Sequence, residues 1–111
     1  MKPLEKLAIE AMYIHHDYRC FVCNANATQR AHIVGDTKPN RKKYGFRVVD
    51  NPKNWLPACS LEHNALIDLG KNDLLMSIVA GLVTSVASGS RGEIEEIVRE
   101  NIKRKRGKTN G

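Results

Sequence analysis

Asn54-Trp55-Leu56-Pro57-Ala58-Cys59-Ser60-Leu61-Glu62-His63-Asn64 runs from a short apolar, strand-like run into the first turn of a helix. Ser60 is a residue type that caps helix N-termini, and Gly70 is a suitable C-cap for a helix over 60–69. The stretch therefore sets a Cys, a His and two Asn side chains within about three helical turns of one another. Two upstream pieces answer it: Cys20-Phe21-Val22-Cys23 and Arg30-Ala31-His32-Ile33-Val34. A Cys pair, a His on an apolar strand and a Cys/His turn together point to a metal-organised domain acting on nucleic acid.

Bulk composition agrees. A chain of 111 residues has room for one domain and one modest core. Hydrophobic residues make up 41% and aromatics 5%, so that core is aliphatic and small and gains from a metal staple. A net charge of +6 and a pI near 9.4 favour a polyanionic partner. Three cysteines, two of them in a C-x-x-C, fit metal-bound thiolates in a reducing compartment better than a disulfide scaffold. Met1-Lys2-Pro3-Leu4-Glu5 has an acid where a signal peptide carries its apolar run. The longest apolar segment, 74–83, is broken by Ser77 and Gly81 and is too short to span a bilayer. The expectation is a soluble, cytoplasmic protein with no membrane partner.

Leu4, Leu7, Ala8, Ala11 and Met12 recur at helical spacing over 4–16, with Pro3 in a first-turn position. His15 and His16 end this helix, either as spare metal ligands or as solvated, dipole-stabilised side chains. A strand is expected over 29–34. Between 37 and 54 lies a long polar loop in which basic residues alternate with Tyr44 and Phe46, suited to phosphate contact with base stacking or to a solvated flap. Asn72 can cap a helix over 72–87 whose apolar face is Leu75, Ile78, Val79, Leu82, Val83 and Val86. Ser90 and Glu93 make a capping-box pattern, and Ile94, Ile97, Val98 and Ile102 give the last helix its buried side. The two C-terminal helices occupy 72–104, and 105–111 forms a frayed basic tail including Lys108.

Cys20, Cys23 and Cys59 supply three soft donors from two turns, and a structural zinc site wants four. His63, four residues after Cys59, can close the set from the helix; so can His15 or His16, or no fourth protein ligand exists. His32, flanked by Ala31, Ile33 and Val34, is by itself a core-edge histidine. With Asn54 and His63 it becomes part of a set that offers a base, an orienting amide and a metal ligand.

His32 in Arg-Ala-His-Ile, Asn54 before Trp-Leu-Pro-Ala-Cys and His63 nine residues after Asn54 together resemble the HNH endonucleases. The nearest variant reads Ala-Ala-His-Ile, then Asn-Gly-Leu, then Cys-x3-His-x3-Phe-Asp-x-Gly; here the last piece runs from Cys59 through His63 and Asp68 to Gly70. The resemblance covers 20–70 and implies an α+β fold: a ββα-metal core with a zinc knuckle, flanked by an N-terminal and two C-terminal helices. By that resemblance His32 is the general base that activates water against a DNA phosphodiester, and Asn54 holds the loop and the imidazole. His63 binds a divalent cation (Mg or Mn, or else Zn or Ni) that stabilises the leaving 3′-oxygen. Many HNH enzymes carry Asp or His just before the base as a second ligand; this chain has Ala31 there, as that variant does. His63 cannot readily serve both ions. Its distance from Asn54 favours the catalytic ion; if it closes the zinc site instead, Asn64 is the natural catalytic ligand, with Asp68 assisting one turn on. Arg30, Arg41, Lys42, Lys43 and Arg47 are the expected DNA contacts, made to phosphate without reading sequence. Cutting both strands needs a homodimer, with the helix over 72–87 a candidate surface, or two successive nicks. The rival reading is a catalytically silent zinc-knuckle module that binds nucleic acid.

Overall fold

Strands β1 (Gln29–His32) and β2 (Trp55–Ala58) pair antiparallel in the register Gln29–Ala58, Arg30–Pro57, Ala31–Leu56, His32–Trp55. The computed structural model describes residues 3–110, with side chains through residue 107. Lys108 of the expected tail and the extreme ends of the chain fall outside the described side chains. Among the described residues, six α-helices and this two-stranded sheet make a small α+β domain. A two-stranded ribbon is marginal by itself, so what covers its faces decides the fold.

Successive strand residues point to opposite faces. Gln29, Ala31, Leu56 and Ala58 share one face, and Arg30, His32, Trp55 and Pro57 share the other. The first face is closed by α4 (Leu61–Ile67), α5 (Asp73–Thr84) and α6 (Ser90–Asn110). Ala31, Leu56, Ala58, Ile67, Val79, Val83, Ile94 and Val98 meet there in one buried aliphatic cluster. The second face is covered by α1 (Pro3–His15), where Glu5 reaches Arg30 at 3.4 Å and Met12 is buried.

Several expectations hold. Ser60 caps α4 by accepting from the His63 amide at 3.2 Å, and Asn72 caps α5 by accepting from Leu75 at 3.1 Å. Ile94, Val98 and Ile102 are the buried side of α6. Others are corrected. Strand β1 stops at His32, and α4 stops at Ile67 with Asp68 as its C-cap; Gly70, at φ +65°, turns the chain one step later. Helix α1 faces inward through Ala8, Ile9 and Met12, leaving Leu4 79% and Leu7 67% exposed. Helix α5 ends at Thr84, short of the expected 87, so Val86 lies beyond it and is exposed; within α5 Met76 is buried and Ile78 is exposed. Ser90 forms no capping box: its hydroxyl accepts from Lys53 Nζ at 3.0 Å, and the same ammonium donates to Ser85 O at 2.7 Å.

The expected loop over 37–54 is largely helical: α2 (Lys38–Tyr44), α3 (Phe46–Val49) and a 3₁₀ turn, Pro52–Asn54. Thr37 caps α2 by accepting from Asn40, and Gly45, at φ +82°, makes the break between the two helices. Val48 and Val49 are buried in the core, Tyr44 packs against it, and Phe46 is exposed. The described part of the basic tail is helical too. Helix α6 continues to Asn110, and Lys105 Nζ donates to the carbonyls of Ala65, Leu66 and Asp68, the last at 2.6 Å. These are orphan acceptors at the end of α4, where a cation also suits the helix dipole. Among the described residues no helix is long and apolar enough to cross a membrane.

Candidate metal centre

The Cys20–Cys23 turn is tied to the ribbon through backbone: Phe21 N donates to Pro57 O at 2.9 Å and Cys20 N to Ala25 O at 2.7 Å. Asn24, in the left-handed region at φ 66°, reverses the chain and donates back to Cys20 O, a conformation Asn tolerates better than most residues. Cys59 follows β2 directly. The Thr28 hydroxyl donates to its carbonyl at 3.1 Å, fixing where the thiol sits.

Helix α4 then brings in the fourth donor. Its side chains lean back towards the helix N-terminus, so His63 in the first turn returns over Cys59. Nδ1 of His63 lies 3.2 Å from Cys59 Sγ and 3.7 Å from Cys20 Sγ, and Cys23 Sγ lies 3.5 Å from Cys59 Sγ. The four ligand atoms all fall within 4.8 Å of one another. A tetrahedron with sulfur about 2.3 Å from the ion puts sulfurs about 3.8 Å apart, so this donor set is already close to the size a metal requires. All three cysteines are free, and Cys20, Cys23, Cys59 and His63 lie close enough to hold a metal ion such as zinc.

The electrostatics point the same way. Burial alone pushes the Cys20 thiol up, but hydrogen bonds from the backbone of Cys23, Val22 and Cys59 and from the His63 ring bring it down to about 6. The Cys59 thiol is pushed up, first by its contact with Cys23 and then by burial and Cys20. One thiolate thus suppresses its neighbour, a conflict that a bound cation removes.

The remaining site residues lie elsewhere. Asn64 Nδ2 donates to Gln29 Oε1 at 3.1 Å, which identifies the Gln29 face as the one towards α4. His32 therefore belongs to the opposite face, its ring edge-on to Trp55 at 6.3 Å. Ala31, the residue pointing towards α4, is completely buried. Burial holds the half-buried His32 imidazole below its ordinary range; Arg30 and Arg41 add to that shift, and Asp36 and Asp50 oppose it. Asn54 is fully buried. Its Oδ1 accepts from Val34 N at 2.8 Å, and its Nδ2 donates to Val34 O at 3.0 Å and Val49 O at 3.3 Å. It pins the chain leaving His32, and its contacts are all with backbone. Asp68 Oδ1 accepts from Gly70 N at 2.7 Å, and Oδ2 lies so near Gly35 that a Cβ there would meet it at 2.9 Å.

The basic residues also differ from one another. Arg30 stacks over Trp55 at 4.5 Å, and Lys43 pairs with Asp73 at 3.5 Å. Arg41 grips two carboxylates, Asp36 at 2.6 Å through Nε and Asp50 at 2.7 and 3.1 Å through its terminal nitrogens. Both carboxyls are held below the usual range, chiefly by that guanidinium. Lys42 and Arg47 are exposed. No spacing in the sequence singles out Asp36 or Asp50 as neighbours of His32; the turn between β1 and α2 and the end of α3 bring them there. Comparisons with protein-family models, with curated proteins and with solved structures each found no match.

Proposed function

We propose that this chain is a metal-dependent DNA endonuclease of the HNH kind, in which the Cys20, Cys23, Cys59 and His63 set holds a structural zinc and His32 is the general base. One observation carries the reading. A half-buried imidazole, held below its ordinary range chiefly by burial, ends β1 where Arg30 and Arg41 add to that shift and Asp36 and Asp50 oppose it, and Asn54 pins the chain that follows. A neutral imidazole can take the proton from a water that attacks phosphorus. Arg30 and Arg41 supply planar donors matched to phosphate oxygens. A divalent cation such as Mg²⁺ or Mn²⁺ supplies Lewis-acid stabilisation of the leaving 3′-oxygen. Asp36 and Asp50, which Arg41 grips in this structure, are the carboxylates that would hold it once that guanidinium turns to phosphate. With His63 among the thiols, Asn64 on α4 and Asp68 at its C-cap act as supports of the fold in this reading. The order ribbon, then helix α4, agrees with a ββα arrangement, with His32 on the ribbon face opposite α4.

A plasmid-nicking assay with added Mg²⁺ or Mn²⁺ tests it. Wild type cuts, and His32→Ala loses about 10²–10⁴-fold in rate while melting within a few degrees of wild type. Cleavage at equal rates by the two proteins overturns the role of His32.

The second reading, a non-catalytic zinc-knuckle module, is favoured by two features. Ala31 is buried where many HNH enzymes carry a metal-binding side chain, and His63 is engaged with the thiols. Its signature is equal, salt-sensitive DNA binding by wild type and His32→Ala, with no nicking by either.

A further inference from the structure

The end of α1, four and five residues before Cys20, carries a second group of metal-type donors that Glu95 of α6 completes. Ligand atoms of His15, His16 and Glu95 all lie within 4.8 Å of one another. The two imidazoles meet edge-to-face, with centroids 4.9 Å apart and planes at 89°. Nε2 of His16 is buried and has no hydrogen-bond partner, an unusual state for a ring nitrogen inside a protein. His15 is exposed and borders an open cleft of about 390 Å³ that is also lined by Ala8, Ala11, Met12, Pro52 and Arg91.

We propose that His15, His16 and Glu95 form a second divalent-metal site, taking a borderline ion such as Zn²⁺, Co²⁺ or Ni²⁺ with two nitrogens, one carboxylate oxygen and water. The donor chemistry selects such ions: imidazole excludes a preference for Mg²⁺ or Ca²⁺, and the absence of sulfur from the group distinguishes it from the Cys20 cluster. Coordination through Nε2 would satisfy the orphaned His16 nitrogen. The negative end of the α1 dipole adds to the attraction for a cation. The site joins α1 to α6, two helices that hydrocarbon holds together poorly, because Met12 is the one buried residue of α1.

Opposition comes from charge. Arg99 pairs with Glu95 at 3.4 Å and stacks over Phe21 at 4.9 Å. Arg91 and Arg99 both act on His16 as like charges. Affinity is therefore moderate, and it rises when Arg99 is neutralised. A merely structural role for the histidines does not have that property.

The test uses the full chain with its thiolate site saturated with zinc, titrated with Co²⁺ at pH 7.5 and followed by calorimetry and absorption. One further equivalent is expected to bind, with weak visible bands and no new sulfur-to-cobalt charge-transfer band, and to raise the melting temperature in a concentration-dependent way. Glu95→Gln weakens it at least tenfold, His15→Ala abolishes it, and Arg99→Gln tightens it several-fold. His15 is exposed, so its variant folds even if a His16 variant does not. Absence of a second equivalent in wild type, or equal cobalt binding by wild type, His15→Ala and Glu95→Gln, overturns the site.

Discussion

One face of the β1–β2 ribbon is sealed by hydrocarbon, the other by ions and rings. Beneath α4, α5 and α6, Ala31, Leu56 and Ala58 join a continuous aliphatic core. Beneath α1, Trp55 is covered by the Arg30 guanidinium and the His32 ring, and one methionine of the helix is buried. A short ribbon needs a packed partner on at least one face. Once the first face and the Cys/His cluster at the ribbon's end supply that, the second can carry groups that a hydrophobic core would exclude. The metal cluster and His32 belong to different parts of this arrangement, and substitutions should separate them.

The largest effect is expected at the cluster. Removing one thiolate leaves three donors and a size mismatch, and structural zinc contributes directly to folding, about 10–16 kcal/mol in isolated zinc-finger peptides. Wild-type protein is expected to carry one zinc per chain, and Cys20→Ser should lose it, with a melting temperature lower by roughly 10–20 °C. Elemental analysis and thermal melts read both. An unchanged melt in a protein that never held metal would remove the staple from this account.

Next is Asn54→Ala. The change strands the amide and carbonyl of Val34 in a fully buried setting, each worth about 1–3 kcal/mol when unsatisfied. A loss of about 3 kcal/mol is expected in urea unfolding, with zinc content unchanged. If the loss stays below about 1 kcal/mol, with water replacing the amide, Asn54 is no pin, and the two faces are coupled less tightly than their hydrogen bonds imply.

Much of this was legible in the sequence, and the failures have particular causes. The C-x-x-C knuckle, the Ser60 and Asn72 caps and the Ile94–Val98–Ile102 stripe all follow from local spacing. His63 did not resolve, because a position four residues after Cys59 suits either ion; only the backward lean of its side chain in the first turn of a capped helix decides. The run from Lys38 to Tyr44 has no apolar period, so its helix shows only in its ends, at Thr37, Pro39 and Gly45. Helix α1 carries apolar residues on two faces, and the outward pair Leu4 and Leu7 resembles a core stripe as well as the inward one does. Asp36, Asp50 and Glu95 carry no local signal at all, since tertiary contacts alone give them neighbours.

A smaller effect appears with pH. His32 and His16 are both held below the ordinary imidazole value, in each case chiefly by burial. The folded chain therefore binds fewer protons than the unfolded chain just below about pH 6.5. Their contribution to stability is full above that value and is lost as pH falls through the folded values, with a slope of at most about 1.4 kcal/mol per pH unit for each group. Zinc release by acid superimposes on this, so the informative quantity is the difference between wild type and His32→Gln. The variant should lose less stability between pH 7 and 5.5. Parallel curves would mean that the imidazole is as well solvated folded as unfolded, and the second face would then be more open than its burial indicates.

The smallest expected change in stability is also the sharpest test of the charged face. Arg41 is partly exposed, and exposed ion pairs contribute about 0–1 kcal/mol, so Arg41→Gln should unfold almost as wild type does. Its electrostatic consequence is larger than its energetic one. The guanidinium lowers the His32 proton affinity, while Asp36 and Asp50 raise it; without Arg41 the carboxylates are opposed only by burial and Arg30, and the imidazole titrates at higher pH. NMR titration of the His32 ring measures this directly, whether or not the protein cuts DNA. An upward shift, accompanied by tighter Mn²⁺ binding at the freed carboxylates, is the result expected if Arg41 occupies the position that a cation takes during turnover. If His32 titrates as in wild type and Mn²⁺ binds no better, the Arg41 triad is an ordinary surface ion pair, and the second face carries an imidazole without the acidic pair that would make it a metal-assisted base.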